Sequence, residues 1–325
     1  MLTDLLYTIP MVRHSPILVT YHTELIPPFL RTDQSSRDLD RLKEELSDLI
    51  TEVLRRQPYL CYFQGYHEIC QVFLLVLEPR SRAAAVARLS TLRIRDFMLP
   101  TLAQSLYQLQ LIPEIISAVN WKLREHLSGT QPFFALAEVL TMYAHDIEEL
   151  GQIARLFDVL LAREAVFSVY MFAQIVLQRP DELFETPADE TDMLHFILSK
   201  LPRPLDIETL IANTVELFEK YPPEKLKSWR LISNNSVLKT ARWQDQALNQ
   251  TLEDGKMYFK KQVKELEWAE RRKMVLQTAW KYRRPAGAVG VAFLVGLLSY
   301  MLRGTSGPSG YFGALWRQYW GYKGH

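Results

Sequence analysis

The chain has 325 residues, 48% apolar, 23% charged and 11% aromatic, a composition that supports a large buried core in one big domain or two ordinary ones. It excludes a disordered, collagen-like or wholly membrane-embedded protein. The net charge of +1 conceals an uneven spread. Residues 1–223 carry 20 Lys and Arg against 30 Asp and Glu, residues 224–285 carry 15 against 7, and the last forty carry 3 against none. A basic face on the folded part is what nucleic acid requires, and here the folded part is the acidic one, so no nucleic-acid partner is expected.

Residues 1–34 carry no regular pattern, and the start MLTDLLYTIP lacks the basic stretch of a signal peptide. From residue 36 the spacing is helical: Leu39, Leu42, Leu46, Leu49, Ile50, Val53 and Leu54 recur at three- and four-residue steps. Ser35 with Asp38 is a capping-box start, and Pro58 ends the element. Further helices are predicted over about 66–78, 81–91, 101–109, 114–127, 132–144, 149–161, 164–177, 191–199 and 206–219. Pro79, Pro100, Pro113, Gly129, Pro132, Gly151, Pro180, Pro202 and Pro222 punctuate them. No alternating run predicts a strand, so the fold class is all-α.

Residues 223–285 form a basic helical linker with Trp229, Trp243, Trp268 and Trp280. Residues 286–302, AGAVGVAFLVGLLSYML, hold seventeen consecutive uncharged residues. As a helix they extend about 26 Å, at the short end of a bilayer span. Lys281, Arg283 and Arg284 precede them, and an aromatic-rich tail over 303–325 follows. The pattern predicts a tail-anchored transmembrane helix with residues 1–285 in the cytosol and the tail in the lumen. The shortness of the span favours the endoplasmic reticulum. The sequons at Asn234 and Asn249 are then expected to stay unmodified.

Chemistry is sparse. The seven histidines show no zinc spacing, and no metal site is expected. Cys61 and Cys70, the only cysteines, are expected to be buried apolar residues in a reducing compartment. Neither a Walker loop nor a nucleophile elbow is present.

One stretch stands apart: Tyr62-Phe63-Gln64-Gly65-Tyr66-His67-Glu68, between the proline-ended helix and an apolar one. It resembles the Tyr-x-Gln-Gly signature of TBC domains, the GTPase-activating domains for Rab GTPases. Its Tyr-His-acid ending resembles the subgroup held at the endoplasmic reticulum by a C-terminal hydrophobic segment. Arg155-Leu156-Phe157-Asp158 is similar to the family's Arg-Leu-Trp-Asp element. The likeness covers about residues 35–222 and the tail.

The resemblance implies a multi-helix TBC-type domain that activates a GTP-bound Rab of the ER–Golgi route. GTP and Mg²⁺ belong to the partner, and the chain needs no cofactor of its own. Gln64 enters the nucleotide site and orients the hydrolytic water, for which an uncharged amide offers both donor and acceptor. Gly65 allows a close approach, Tyr62 positions the loop, and Tyr66, His67 and Glu68 support it or touch the partner. Arg155 and Asp158, at i and i+3, form an internal ion pair in a structural role.

The family's finger arginine lies in an Ile-x-x-Asp-x-x-Arg motif about 35–40 residues before its glutamine, and that window holds no arginine here. Arg31, 33 residues before Gln64, is the candidate, with Pro28 where the motif has an acid. Asp38-Leu39-Asp40-Arg41 matches the letters but is too close to Gln64. Two explanations stay open: the sequence begins after the arginine helix, or the domain binds a Rab without a finger. The alternatives to a Rab activator are therefore a finger-less Rab-binding adaptor and a membrane-tethered scaffold.

Overall fold

The computed structural model describes residues 36–304, without the side chains of 36, 244, 279, 281–292 and 300–304. The N-terminal segment 1–34 with Arg31, the capping Ser35, and the tail beyond Gly304 lie outside the described residues. Every regular element among the described residues is helical.

Helix α1 (Ser36–Arg56) is amphipathic and lays Leu46, Leu49, Ile50 and Val53 against α2 (Tyr66–Val76) and α3 (Pro79–Leu92). A 3₁₀ turn (Arg95–Met98) leads to α4 (Ala103–Leu109) and α5 (Leu111–Val119). The stretch predicted as one helix over 114–127 is two. Asn120 leaves helical geometry and caps α6 (Trp121–His126), its side chain accepting from Leu123 N at 3.1 Å. A second 3₁₀ turn (Pro132–Ala135) runs into α7 (Leu136–Thr141), then come α8 (Leu150–Ala162) and α9 (Phe167–Leu177). Helices α10 (Pro180–Glu185), α11 (Thr191–Leu198) and α12 (Ile207–Lys220) follow. The first of these escaped the periodicity because six residues span less than two turns.

Helix α9 is apolar on all sides and is the axis of the fold. Phe167, Tyr170, Met171, Phe172 and Ala173 are 0–1% exposed, and the helix packs on α5, α7 and α12. Phe134 stacks on Phe172, and Tyr170 meets Phe218 edge-on at 4.9 Å.

The chain divides into a first unit that ends at Lys264 and a second that begins at Glu265. The stretch expected as a linker from residue 223 is therefore divided. Its first part, with α13 (Val237–Thr240), α14 (Gln244–Asn249) and the start of α15 (Leu252–Gly304), belongs to the first unit and buries Trp229, Ile232, Val237, Leu238 and Phe259. Gly255 makes this possible: a Cβ there would stand 2.3 Å from Thr91 Cγ2 and 2.9 Å from the Thr91 carbonyl oxygen. Only a glycine lets the two helices approach so closely.

Beneath that crossing lies a fully buried polar cluster. Arg95, Asp96 and Gln262 are each 0% exposed. Arg95 donates from Nε to Gln262 Oε1 (3.1 Å), from Nη1 to Thr91 O (3.2 Å), and from Nη2 to Thr240 Oγ1 (2.7 Å) and Asn235 O (2.5 Å). Asp96 accepts from Gln262 Nε2 (2.7 Å), Gln108 Nε2 (2.6 Å), Val237 N (3.1 Å) and the Ser236 hydroxyl. Gln262 thus touches both charges, one with each end of its amide.

In the second unit, α15 continues to Gly304. The expected span 286–302 falls within it, with the side chains of 286–292 and 300–302 outside the described residues. Among the described residues no helix is long and apolar enough to cross a membrane.

Gln262→Leu leaves one donor of Arg95 and one acceptor site of Asp96 unmatched in a dry interior. A loss of about 3 kcal/mol in urea unfolding is the expected outcome. A loss below about 1 kcal/mol would show that the start of α15 is not part of the cooperative unit.

Candidate functional site

The loop between α1 and α2 is pinned at almost every residue. Leu60, Cys61 and Phe63 are buried, Cys61 N donates to Met98 O at 2.9 Å, and Phe63 packs edge-on against Phe97. Tyr66 is 0% exposed and bonds the Ser90 hydroxyl at 2.7 Å, while burial pushes its phenol well above the usual range. Gln64, between two buried neighbours, is the exposed residue at the tip.

Gly65 sets the geometry. Its φ is +99°, in the left-handed region, and it caps the start of α2. A Cβ there would stand 2.7 Å from Thr141 Cγ2, so glycine is required both by conformation and by the contact with α7. The close approach that Gly65 permits here is to Thr141 on α7, within the chain itself. Tyr62 braces the loop by bonding His67 Nδ1 through its hydroxyl at 3.0 Å, across the turn. His67 Nε2 lies 3.8 Å from Glu68 Oε1.

Glu68 in turn meets His145 Nδ1 at 3.0 Å. That hydrogen bond and the Glu68 charge raise the imidazole to about 9. Beneath them Glu138, on α7, is 1% exposed. Burial, then the neighbouring Asp146 charge, push its carboxyl up to about 8. Sequence reasoning passed over Glu138, His145 and Asp146. The one available signal was a lone acid in the apolar run FFALAEVLTMY.

Arg155 and Asp158 do not form the ion pair expected of them. Arg155 instead grips Glu208 with Nε (2.7 Å) and Nη2 (3.0 Å), tying α8 to the first turn of α12, while Asp158 is exposed on α8. The two planar groups, 53 residues apart, make a two-pronged, charge-assisted contact. The pair lies on the protein surface as a structural tie between helices. Arg31, the finger candidate, lies outside the described residues. Arg41 is exposed on α1, 3.6 Å from Glu45. Cys61 and Cys70 are both buried and not joined in a disulfide, and burial raises the Cys70 thiol. Among the described residues no group of three or more His, Cys, Asp or Glu is placed to hold a metal ion.

Residues 28–184 match the profile of the Rab-GTPase-TBC domain. TBC1 domain family member 20 of Homo sapiens is 36% identical over 202 residues, 62% of this chain and 49% of that protein. The Bos taurus form gives the same figures. The GTPase-activating protein gyp10 of Schizosaccharomyces pombe is 36% identical over 188 residues, 57% of this chain and 50% of that protein. The chain thus spans about half the length of the curated relatives it matches.

The raised Glu138 carboxyl makes a pH prediction. A group whose folded value lies above its unfolded one gives stability that is full below the unfolded value, about 4.5, and lost as pH rises to about 8. His145 adds a loss of the same sign between about 6.5 and 9. Thermal melts should therefore show the protein more stable at pH 5 than at pH 8.5. Glu138→Gln should raise Tm by several degrees at pH 8.5 and leave it unchanged near pH 4. An equal rise at both pH values would mean that the carboxyl does not titrate in this range.

Proposed function

We propose that this chain is a Rab GTPase-activating protein whose TBC-type domain supplies Gln64 to a Rab in its GTP-bound form. The observation that carries the proposal is Gln64 itself: an uncharged amide at the exposed tip of an otherwise buried loop, within the segment that matches the Rab-GTPase-TBC domain. The matched relative gyp10 is named a GTPase-activating protein.

The partner brings the P-loop, Mg²⁺ and GTP. Hydrolysis then needs a water held in line with the γ-phosphate and neutralisation of charge on the phosphate oxygens. A glutamine amide orients water by accepting one of its protons and donating to its oxygen or to phosphate, with no net charge to repel the nucleotide. The loop is held from four sides, by Met98, Phe97, Ser90 and Thr141, so little freedom is lost when Gln64 enters the site. An arginine finger contributes on the order of 10³–10⁵ in rate where present. Arg31 is the candidate for that role; a domain without one is a Rab-binding adaptor that leaves hydrolysis slow.

Single-turnover GTP hydrolysis by a panel of Rabs with the full chain in detergent is the direct test. The expected result is acceleration of one or a few Rabs, reduced at least about a hundredfold by Gln64→Ala. Acceleration that survives Gln64→Ala would reject Gln64 as the water-orienting residue. Binding to the GTP form without acceleration would favour the adaptor.

The same reading places the chain on the endoplasmic reticulum through residues 286–302, on a Rab of the ER–Golgi route. It is supported by the uncharged run itself and by Phe293, Leu294, Val295, Leu297 and Leu298, which are 47–72% exposed on α15. In microsomes an acceptor site appended to the C-terminus should be glycosylated while Asn249 is not. Asn249 is the informative sequon, because the Ser236 of the Asn234 sequon is 0% exposed and donates to Asp96. Modification of Asn249 without the appended site would reverse the orientation.

A further inference from the structure

The turn after α7 gathers titratable groups beside the Gln64 loop. Met142 and Tyr143 both have positive φ, 53° and 69°, and this reversal brings His145 and Asp146 back toward Glu138 on α7 and Glu68 on α2. Positive φ in two bulky residues is strained, and it persists only where the surroundings enforce it.

What they surround is short of donors. Neither oxygen of the Glu138 carboxyl meets an N–H or O–H donor from another residue among the described residues, although the residue is 1% exposed; its hydrogen bond with Asp146 uses the carboxyl proton itself. Oε2 of Glu68 is buried and unmatched as well. Three acidic side chains, Glu68, Glu138 and Asp146, face His145, and His67 Nε2 lies 3.8 Å from Glu68 Oε1. The Tyr143 phenol, also near Glu138, spends its proton on Ser168 O at 2.7 Å. A positively charged group rich in N–H donors, an ammonium or a guanidinium, can replace that proton and reach the unmatched oxygens. A metal ion does not meet the geometry, since among the described residues no such group is placed to hold one.

We propose that Glu68, Glu138 and Asp146, with His145 at the rim, form a receptor for one lysine or arginine side chain presented by the GTPase that docks over Gln64. This rests on the Rab-activating reading and names the partner chemistry at the same site. Glu68 lies four residues after Gln64, on the first turn of α2. Gly65 touches Thr141, the residue just before the strained pair. The His145 side chain is 53% exposed, so a partner that covers Gln64 also covers this rim. The basic group enters past His145 and places its N–H donors on the unmatched oxygens.

Charge makes the event measurable. Burial and Asp146 hold the Glu138 carboxyl up to about 8, so at neutral pH it carries its proton. A cation arriving beside it favours the ionised form, and the proton leaves to solvent. Ionisation of Glu138 and deprotonation of His145 both make the receptor more negative as pH rises. Their signs agree: affinity increases from pH 7 to pH 8.5.

The test is equilibrium binding of the full chain in detergent to the panel of Rabs loaded with a non-hydrolysable GTP analogue, at pH 7.0 and 8.5. The proposal expects about tenfold tighter binding at the higher pH for the Rab that binds, one proton being released. Glu138→Gln should abolish that increase with the same Rab, which removes the partner's own titration from the comparison. A melting curve confirms that the variant folds, and the half-buried Asp146→Asn should weaken binding at pH 8.5 in parallel. Equal pH dependence in wild type and Glu138→Gln, or unchanged binding by Asp146→Asn, overturns the proposal. If hydrolysis is nevertheless accelerated through Gln64, the activator reading stands without it. A pH increase lost in Glu138→Gln but with no Gln64-dependent hydrolysis supports the receptor and rejects the activator. No binding to any Rab at either pH rejects both.

Discussion

The buried Arg95–Asp96 pair is the constraint on which the exposed loop depends. Two adjacent opposite charges are removed from water, a cost that is recovered only if nearly every donor and acceptor finds a partner. Here the partners come from four separate stretches: Thr91 on α3, Gln108 on α4, the 235–240 segment, and Gln262 on α15. Desolvation pulls the guanidinium below its ordinary value and the Asp96 charge opposes it. The pair therefore locks the 3₁₀ turn Arg95–Met98, and that turn holds the loop, through Met98 O on Cys61 N and Phe97 on Phe63. A chain of rigid contacts runs from a charge cluster in the interior to a single exposed amide.

The other side of the loop is held by shape rather than charge. Gly65 has no side chain to keep it from Thr141, and its left-handed φ turns the backbone from the irregular Leu60–Phe63 run into α2. Tyr62 and His67 close the turn with one hydrogen bond. Gln64 is thus fixed at its backbone and free at its amide, a combination suited to a group that acts inside another protein. The left-handed pair Met142 and Tyr143 lies just beyond the same contact. Left-handed backbone at Gly65, Met142 and Tyr143 thus gathers beside Gln64.

The sequence by itself determined the all-helical class, most of the longer helices and the Gln-Gly pair between α1 and α2. Periodicity in 36–56, the stop at Pro58 and a Gln-Gly pair between apolar neighbours are local facts, set by side-chain spacing and by which residues tolerate a turn. Only the tertiary structure decided the partners. Arg155 was expected on Asp158 because local spacing offers neighbours at three and four residues, yet its forked guanidinium found Glu208. Nothing in the local spacing singled out Arg95 or Glu138. Residues 223–264 looked like linker because their charge is high, although Trp229, Val237 and Phe259 are core. Arg155 and Arg95 were hidden for the same reason: their partners Glu208 and Gln262 stand 53 and 167 positions away, and nothing in the spacing along the chain carries that distance.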